Sequence, residues 1–242
     1  MSAALVVAVL LALAAPLMAA DAAPSYRVAR TSASRDDLLG GADAPWKGAD
    51  TIRWGPDAYE TAFRAAWSAD GLFLRFDAKD PDPWHTMTKR GEHLWEEEVV
   101  EIFVDLDHSG RNYYELEISP ANVVCDLRMV SPPPHYEGDF SWIFDGLVTR
   151  VHSRKDAAGK TTGWTAAAFL PWSGFRSLPS AKSVALPPKP GDDWRFNVFR
   201  IKRPGGPKAP EKDAVFAAWS KPPGETFHAP EVFRPLVFEA GR

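Results

Sequence analysis

The chain breaks into short runs of alternating apolar and polar residues, punctuated by Gly, Pro, Asn and Asp, and almost nowhere shows a helical period. Alternation with period two is the pattern of a strand with one buried face, so the chain must fold mainly as β-sheet. Residues 62–67 and 72–76 flank Ala69-Asp70-Gly71, and an Asp-Gly pair between alternating runs marks a hairpin. Runs at 99–105 and 113–118 flank Asp107-His108-Ser109-Gly110, and a run at 123–130 follows Pro120-Ala121-Asn122. Runs at 147–152 and 164–169 flank a turn at 156–160, and 194–202, 215–219 and 236–238 complete the set. The expected fold is all-β: one antiparallel β-sandwich, jelly-roll or immunoglobulin-like. Its long Pro-rich loops fall at 79–92, 131–140, 204–213 and 221–230, and loops of that length carry function in many compact domains.

The first twenty residues carry no charge, positions 3–15 are almost wholly apolar, and Pro16 is followed by small residues. This predicts a secretory signal peptide over 1–22, a short linker over 23–35 and a single domain over 36–242. Location in the periplasm or outside the cell follows, with no membrane association once the signal is removed. With 28 basic and 32 acidic residues the chain has no basic excess, which excludes nucleic acid as a partner. Cys125 is the only cysteine, so neither an internal disulfide nor a cysteine metal cluster is available. Stability must come from the core, for which 10 Trp and 14 Phe are ample.

The run 99–105 is the most informative. Val100, Ile102 and Val104 form one face and read as core, while Val99, Glu101, Phe103 and Asp105 form the other. Glu101 therefore points away from the sandwich interior, where a carboxylate can accept hydrogen bonds from vicinal hydroxyls. Trp95 precedes it and offers a flat apolar ring. Glu96, Glu97, Glu98 and Glu101 also raise the alternative of a glycoside hydrolase, which needs two carboxyl groups flanking one bond. The stretch Asp105-Leu106-Asp107-His108-Ser109-Gly110 begins like a calcium loop, but position twelve is Leu116, so a β-turn is expected. An oxygen-ligated structural calcium elsewhere in these loops stays open, and the six scattered histidines have no zinc spacing.

Several blocks together carry a resemblance. Gly40-Gly41-Ala42-Asp43-Ala44-Pro45-Trp46, the strand 72–80 ending in Asp80, and the Trp-x5-Glu-x-Phe-x-Asp pattern from Trp95 to Asp105 appear in order. Asn112-Tyr113-Tyr114-Glu115-Leu116-Glu117, the strand 163–172 ending in Pro171-Trp172, and Gly191-x-x-Trp194-x-x-Asn197-x-x-Arg200 follow. Ala218-Trp219-Ser220 and His228-Ala229-Pro230-Glu231-Val232-Phe233 close the series. Over roughly 36–238 the chain resembles carbohydrate-binding module family 9 and its stand-alone exported relatives.

The resemblance implies a non-catalytic sandwich that clamps a sugar between two aromatic rings and bonds its hydroxyls with a Glu. Trp95 falls on the first aromatic position, Glu101 on the Glu, and Phe227 where sugar-clamping members carry Trp. Glu117 and Asp213 stand where a base is expected. Arg200 and Asn197 either replace it or are structural. Trp84 is either a third platform or a cover for the core edge, and His228 either donates to the ligand or fixes its loop. The implied partner is an oligosaccharide or polysaccharide, with a separate glycoside hydrolase acting beside it in polysaccharide breakdown. A structural or adhesive module with a decayed sugar site is the remaining alternative.

Overall fold

The computed structural model describes residues 24–131, 135 and 137–241. The expected signal peptide lies outside the described residues. Thirteen strands dominate the described residues. They are Tyr26–Arg30 (β1), Ile52–Trp54 (β2), Thr61–Trp67 (β3), Gly71–Lys79 (β4), Val99–Asp105 (β5), Tyr114–Ile118 (β6) and Val124–Ser131 (β7). Glu137–Asp139 (β8), Val148–Lys155 (β9), Thr161–Pro171 (β10), Asp193–Lys202 (β11), Val215–Ala218 (β12) and Arg234–Phe238 (β13) follow.

One layer runs β8-β7-β6-β5-β11-β13, the other β3-β4-β10-β9, and β1 joins them. Tyr26, Arg27 and Val28 pair with Leu236, Val237 and Phe238, whereas Ala29 and Arg30 pair with Ala66 and Trp67. Both of these pairings are parallel, and every other strand pairing among the described residues is antiparallel. The antiparallel sandwich expected from the sequence is thus present, with one parallel strand shared by both layers. This corrects the linker over 23–35: Tyr26 and Val28 are fully buried core residues. Two buried positions in a five-residue strand are too few to register as a periodic run. β2, and β8 inside the expected loop 131–140, are three residues each and too short to show a period.

Alternation decides where each strand faces. Phe63, Leu72, Leu74, Phe76, Val100, Ile102, Val104, Leu116, Trp194, Phe196 and Val198 point between the layers and form the main core. Burying a large apolar side chain contributes about 1.5–3 kcal/mol, so these rows carry the layer packing. The Asp70-Gly71 turn delivers the predicted hairpin between β3 and β4, closed by Ser68 N–H donating to the Gly71 carbonyl at 3.0 Å. Gly71 is required for space, because a Cβ there would strike the Leu170 carbonyl of β10.

The outer faces are also covered. Leu38, Leu39 and Trp46 lie over Ala66, Phe73 and Phe169 of the second layer. On the first layer Val99, Phe103, Cys125, Leu127, Phe199 and Ile201 form a smaller cluster beneath the loops, and this is where the candidate site sits.

Candidate functional site

Strand register builds the floor of the site. β5 pairs with β6 so that Glu101 faces Glu117 and Phe103 faces Glu115. β7 then places Cys125 beside Glu117 and Leu127 beside Glu115, while β11 places Phe199 beside Glu101. The β5–β6 turn sets this register with left-handed backbone at His108, Gly110 and Asn112. Its two acids serve the turn itself: Asp105 accepts from Gly110 N–H at 2.8 Å and Asp107 from Ser109 N–H at 3.2 Å. Residues 106–112 form a run of bends held by these side chains, a wider connection than the single β-turn expected.

Loops supply the walls. The residues Leu94–Glu96 form a 3-10 turn just before β5 and present a half-buried Trp95. Its ring stacks on His93 at 4.3 Å between centroids and 19° between planes, and Phe140 tilts against it at 5.9 Å. From the loop after β12, Phe227 stacks on Phe199 at 4.3 Å and 19°. His228 stacks on Phe103 at 5.0 Å and 21°, and its Nδ1 shares a 2.7 Å hydrogen bond with the Tyr113 hydroxyl. Burial lowers the His228 pKa to about 4, so the ring is neutral at neutral pH.

These residues enclose a cavity of about 320 Å³ lined by Trp95, Glu101, Phe103, Glu115, Phe227 and His228, with Phe140 and Phe216 at its edge. A neighbouring depression of about 750 Å³ shares Phe216, Glu225 and Phe227, so the two form one groove. A larger depression of about 1190 Å³ lies elsewhere, but its rings Phe73, Phe169 and Trp172 are buried and offer no face.

Of the residues singled out in the sequence, Trp95, Glu101, Phe227 and His228 come together. Arg200, Asn197 and Trp84 do not line the cavity. Arg200 lies on the inner face of β11, fully buried, bonded to Asp80 at 2.8 Å and set over the Trp164 ring. Lys202, two residues on, contacts Asp80 at 2.8 Å and also Glu98. Asn197 sits where β11 passes from β13 to β12, and fills that gap by bonding Ser220 N–H at 3.0 Å and Ser220 O at 2.7 Å. Trp84 covers the same sandwich end as Arg200, its indole N–H donating to Arg203 O at 2.7 Å. Glu97 turns away from Glu101 and accepts from the backbone of Thr86 at 2.8 Å, pinning the 79–92 loop. That removes it from the carboxyl pair a hydrolase would need.

Glu101 is not the simple ionised acceptor the strand pattern suggested. Burial, then the charge of Glu115, pushes its pKa well above the usual carboxylate range. Burial pushes Glu115 up to about 7, and burial followed by Glu101 and Glu115 raises Glu117 strongly. Sequence reasoning did not assemble this trio, although the alternation in Tyr114-Glu115-Leu116-Glu117-Ile118 already set both acids opposite the core row. It also missed Phe140 and Phe216, whose rings are 45% and 51% exposed beside the cavity.

A β-sandwich with a ring-walled cavity on one outer face is a module for binding a small ligand. Residues 40–239 match the family described as carbohydrate family 9 binding domain-like, and the chain belongs to that family. Among solved structures it is similar to a candidate carbohydrate-binding protein from Bacteroides uniformis ATCC 8492, with TM-score 0.66 and 17% identity over 89% of this chain and 99% of that one. It is similar also to a family 9 carbohydrate-binding module from Caldicellulosiruptor kristjanssonii, solved with cellotriose (TM-score 0.58, 14% identity, 90% and 95% covered). The glucose complex of a module from that organism gives TM-score 0.60 and 14% identity, with 90% and 97% covered. Such identities show a shared fold. No curated protein sequence matches the chain.

Proposed function

We propose that the chain is a non-catalytic carbohydrate-binding protein whose outer-face cavity holds a sugar. The observation that carries this reading is the meeting of Trp95 and Phe227, far apart in sequence, on the walls of one cavity floored by carboxyl groups. Pyranose rings have apolar C–H faces and polar edges. The aromatic walls suit the faces, while Glu101 and Glu115 bond the hydroxyls at the edge. The size of about 320 Å³ falls at the small end of ligand pockets, and the adjoining depression gives a longer ligand room to continue past Phe216. Cello-oligosaccharides are the first candidates, because the similar modules were solved with cellotriose and glucose.

Export belongs to the same proposal, supported by the uncharged apolar run at 3–15. Service to a separate glycoside hydrolase is part of it too. Among the described residues no helix is long and apolar enough to cross a membrane.

Isothermal titration with cello-oligosaccharides and a wider glycan array test the reading. Wild-type protein is expected to bind with a change in Trp fluorescence, and Trp95→Ala to lose at least tenfold in affinity, about 1.4 kcal/mol, without a change in thermal unfolding. Normal binding by Trp95→Ala would remove the cavity from the reading. A blank array from folded protein would turn it into a structural or adhesive module.

A further inference from the structure

The carboxyl groups of Glu101, Glu115 and Glu117 each place one oxygen within 4.8 Å of the other two. The residues are 2%, 5% and 0% exposed. Glu101 Oε1, Glu115 Oε2 and both oxygens of Glu117 have no hydrogen-bond partner. No Lys, Arg or His nitrogen among the described residues lies at ion-pair distance from any of them. Buried carboxylates are held by a base, by a proton or by a metal ion. Here the first is absent, while the cavity opens directly onto Glu101 and Glu115.

We infer that Glu101, Glu115 and Glu117 form a binding site for one hard divalent cation, calcium above all, at the floor of the cavity. The geometry fits: oxygens held at about 2.3–2.6 Å from one calcium stand no more than about 5 Å apart. The donor set is oxygen only, since no His or Cys offers an atom to the group. That favours calcium, magnesium or manganese over zinc or copper. Cation positions not filled by the three carboxylates face the cavity, where water or a ligand hydroxyl completes the shell. Glu117 takes on meaning here: a carboxylate beneath the floor, where the resemblance leads one to expect a base, exchanges a protein cation for an exchangeable one. The site shares Glu101 and Glu115 with the carbohydrate reading, but cation binding needs no sugar and is tested without one.

The test is thermal unfolding of the chelator-treated full chain, without sugar, as calcium, magnesium or manganese is added, with calorimetry for stoichiometry. One ion per chain and a rise in Tm of about 5 °C or more at roughly a hundredfold excess over Kd are expected. Glu117→Gln removes a ligand charge and is expected to abolish the rise, with Glu115→Gln as the second variant should the first not fold. Glu211→Gln, an exposed acid outside the cluster, is expected to keep it. No rise up to about 10 mM, past the weak ~1 mM end of protein calcium sites, would overturn the inference and leave shared protons as the holding device. A rise that survives in Glu117→Gln and Glu115→Gln would overturn it as well, by locating the ion elsewhere. A sugar titration run with chelator and with calcium is a separate readout, so failure of either proposal is visible without the other.

Discussion

Two clusters of buried charge stand on opposite faces of the same layer, and they have been resolved in opposite ways. At one end of the main core Asp80 and Glu98 meet Arg200 and Lys202, two acids with two bases, all four essentially inaccessible to solvent. Burial raises Glu98, but Arg200 and Lys202 oppose that rise, and Trp84 and the Asp82 carbonyl cap the group. On the outer face Glu101, Glu115 and Glu117 crowd together with no base at ion-pair distance, opposed only by the more distant Arg200 charge and the Trp95 backbone. The first cluster matches each acid with a base, leaving only Arg200 Nε without a partner, and fastens the 79–92 loop to the sandwich. The second is incomplete and lies beneath a cavity. A closed network is a structural device, whereas a buried group lacking a counterpart points to something that arrives from outside.

The largest effect is expected at Arg200. Arg200→Met leaves Asp80 and Glu98 short of a cation and is expected to lower stability by about 3–5 kcal/mol in urea unfolding. A loss within about 0.5 kcal/mol, as for an ordinary surface site, would mean the quartet is not the closed network described.

His228 lines the same cavity as Glu101 and Glu115. His228 stays neutral because burial holds its pKa at about 4, below the unfolded value of about 6.5. The folded state therefore binds this proton less readily than the unfolded chain. The contribution is full above about pH 6.5 and falls by about 3 kcal/mol as pH drops towards 4. His228→Gln is expected to lose that part of the acid sensitivity, measured as wild type minus variant across this window. An identical pH profile would mean that His228 is charged and balances the trio, erasing the contrast.

Glu117→Gln acts on the outer-face cluster. In chelator it removes a buried carboxyl that folding must otherwise protonate, and is expected to stabilise the protein by about 1–2 kcal/mol in urea unfolding near pH 7, the reverse of removing a charge from the quartet. The smallest effect is expected at Phe216. Phe216→Ala should weaken a long cello-oligosaccharide roughly threefold to tenfold, about 0.5–1.5 kcal/mol, while leaving glucose unchanged by calorimetry. Equal losses for both would confine the ligand to the smaller cavity.

How far the sequence reached follows the same division. Alternation in β5 placed Glu101 opposite Val100, Ile102 and Val104, because side-chain parity is a local property. Trp95 and Phe227 came from block order, and the fold brought them to one cavity. The meeting of Glu101 with Glu117 depends on a register between two strands, which no single run encodes. The same parity puts Arg200 in one row with Trp194, Phe196 and Val198, facing the core, yet a base in a strand end reads equally well as a ligand donor until Asp80 is seen opposite it. Asn197 misled for a related reason: its amide completes a gap between two neighbouring strands, and that gap exists only in three dimensions. β1 was hidden because its partners are residues 234–238 and 61–67, on two other strands in two different layers.

That first strand has a mechanical consequence. β1 and β13 run side by side in the same direction, with Tyr26 opposite Leu236 and Val28 opposite Phe238. Tension applied before Tyr26 and beyond Phe238 pulls along the strand axes in opposite senses. The bonds between them are then loaded in shear, all at once, and cannot be opened one after another like a zip. Because the second half of β1 is bonded to β3, sliding it free would also release the other layer. The strand that the sequence least advertises is the clasp by which the whole sandwich would resist stretching.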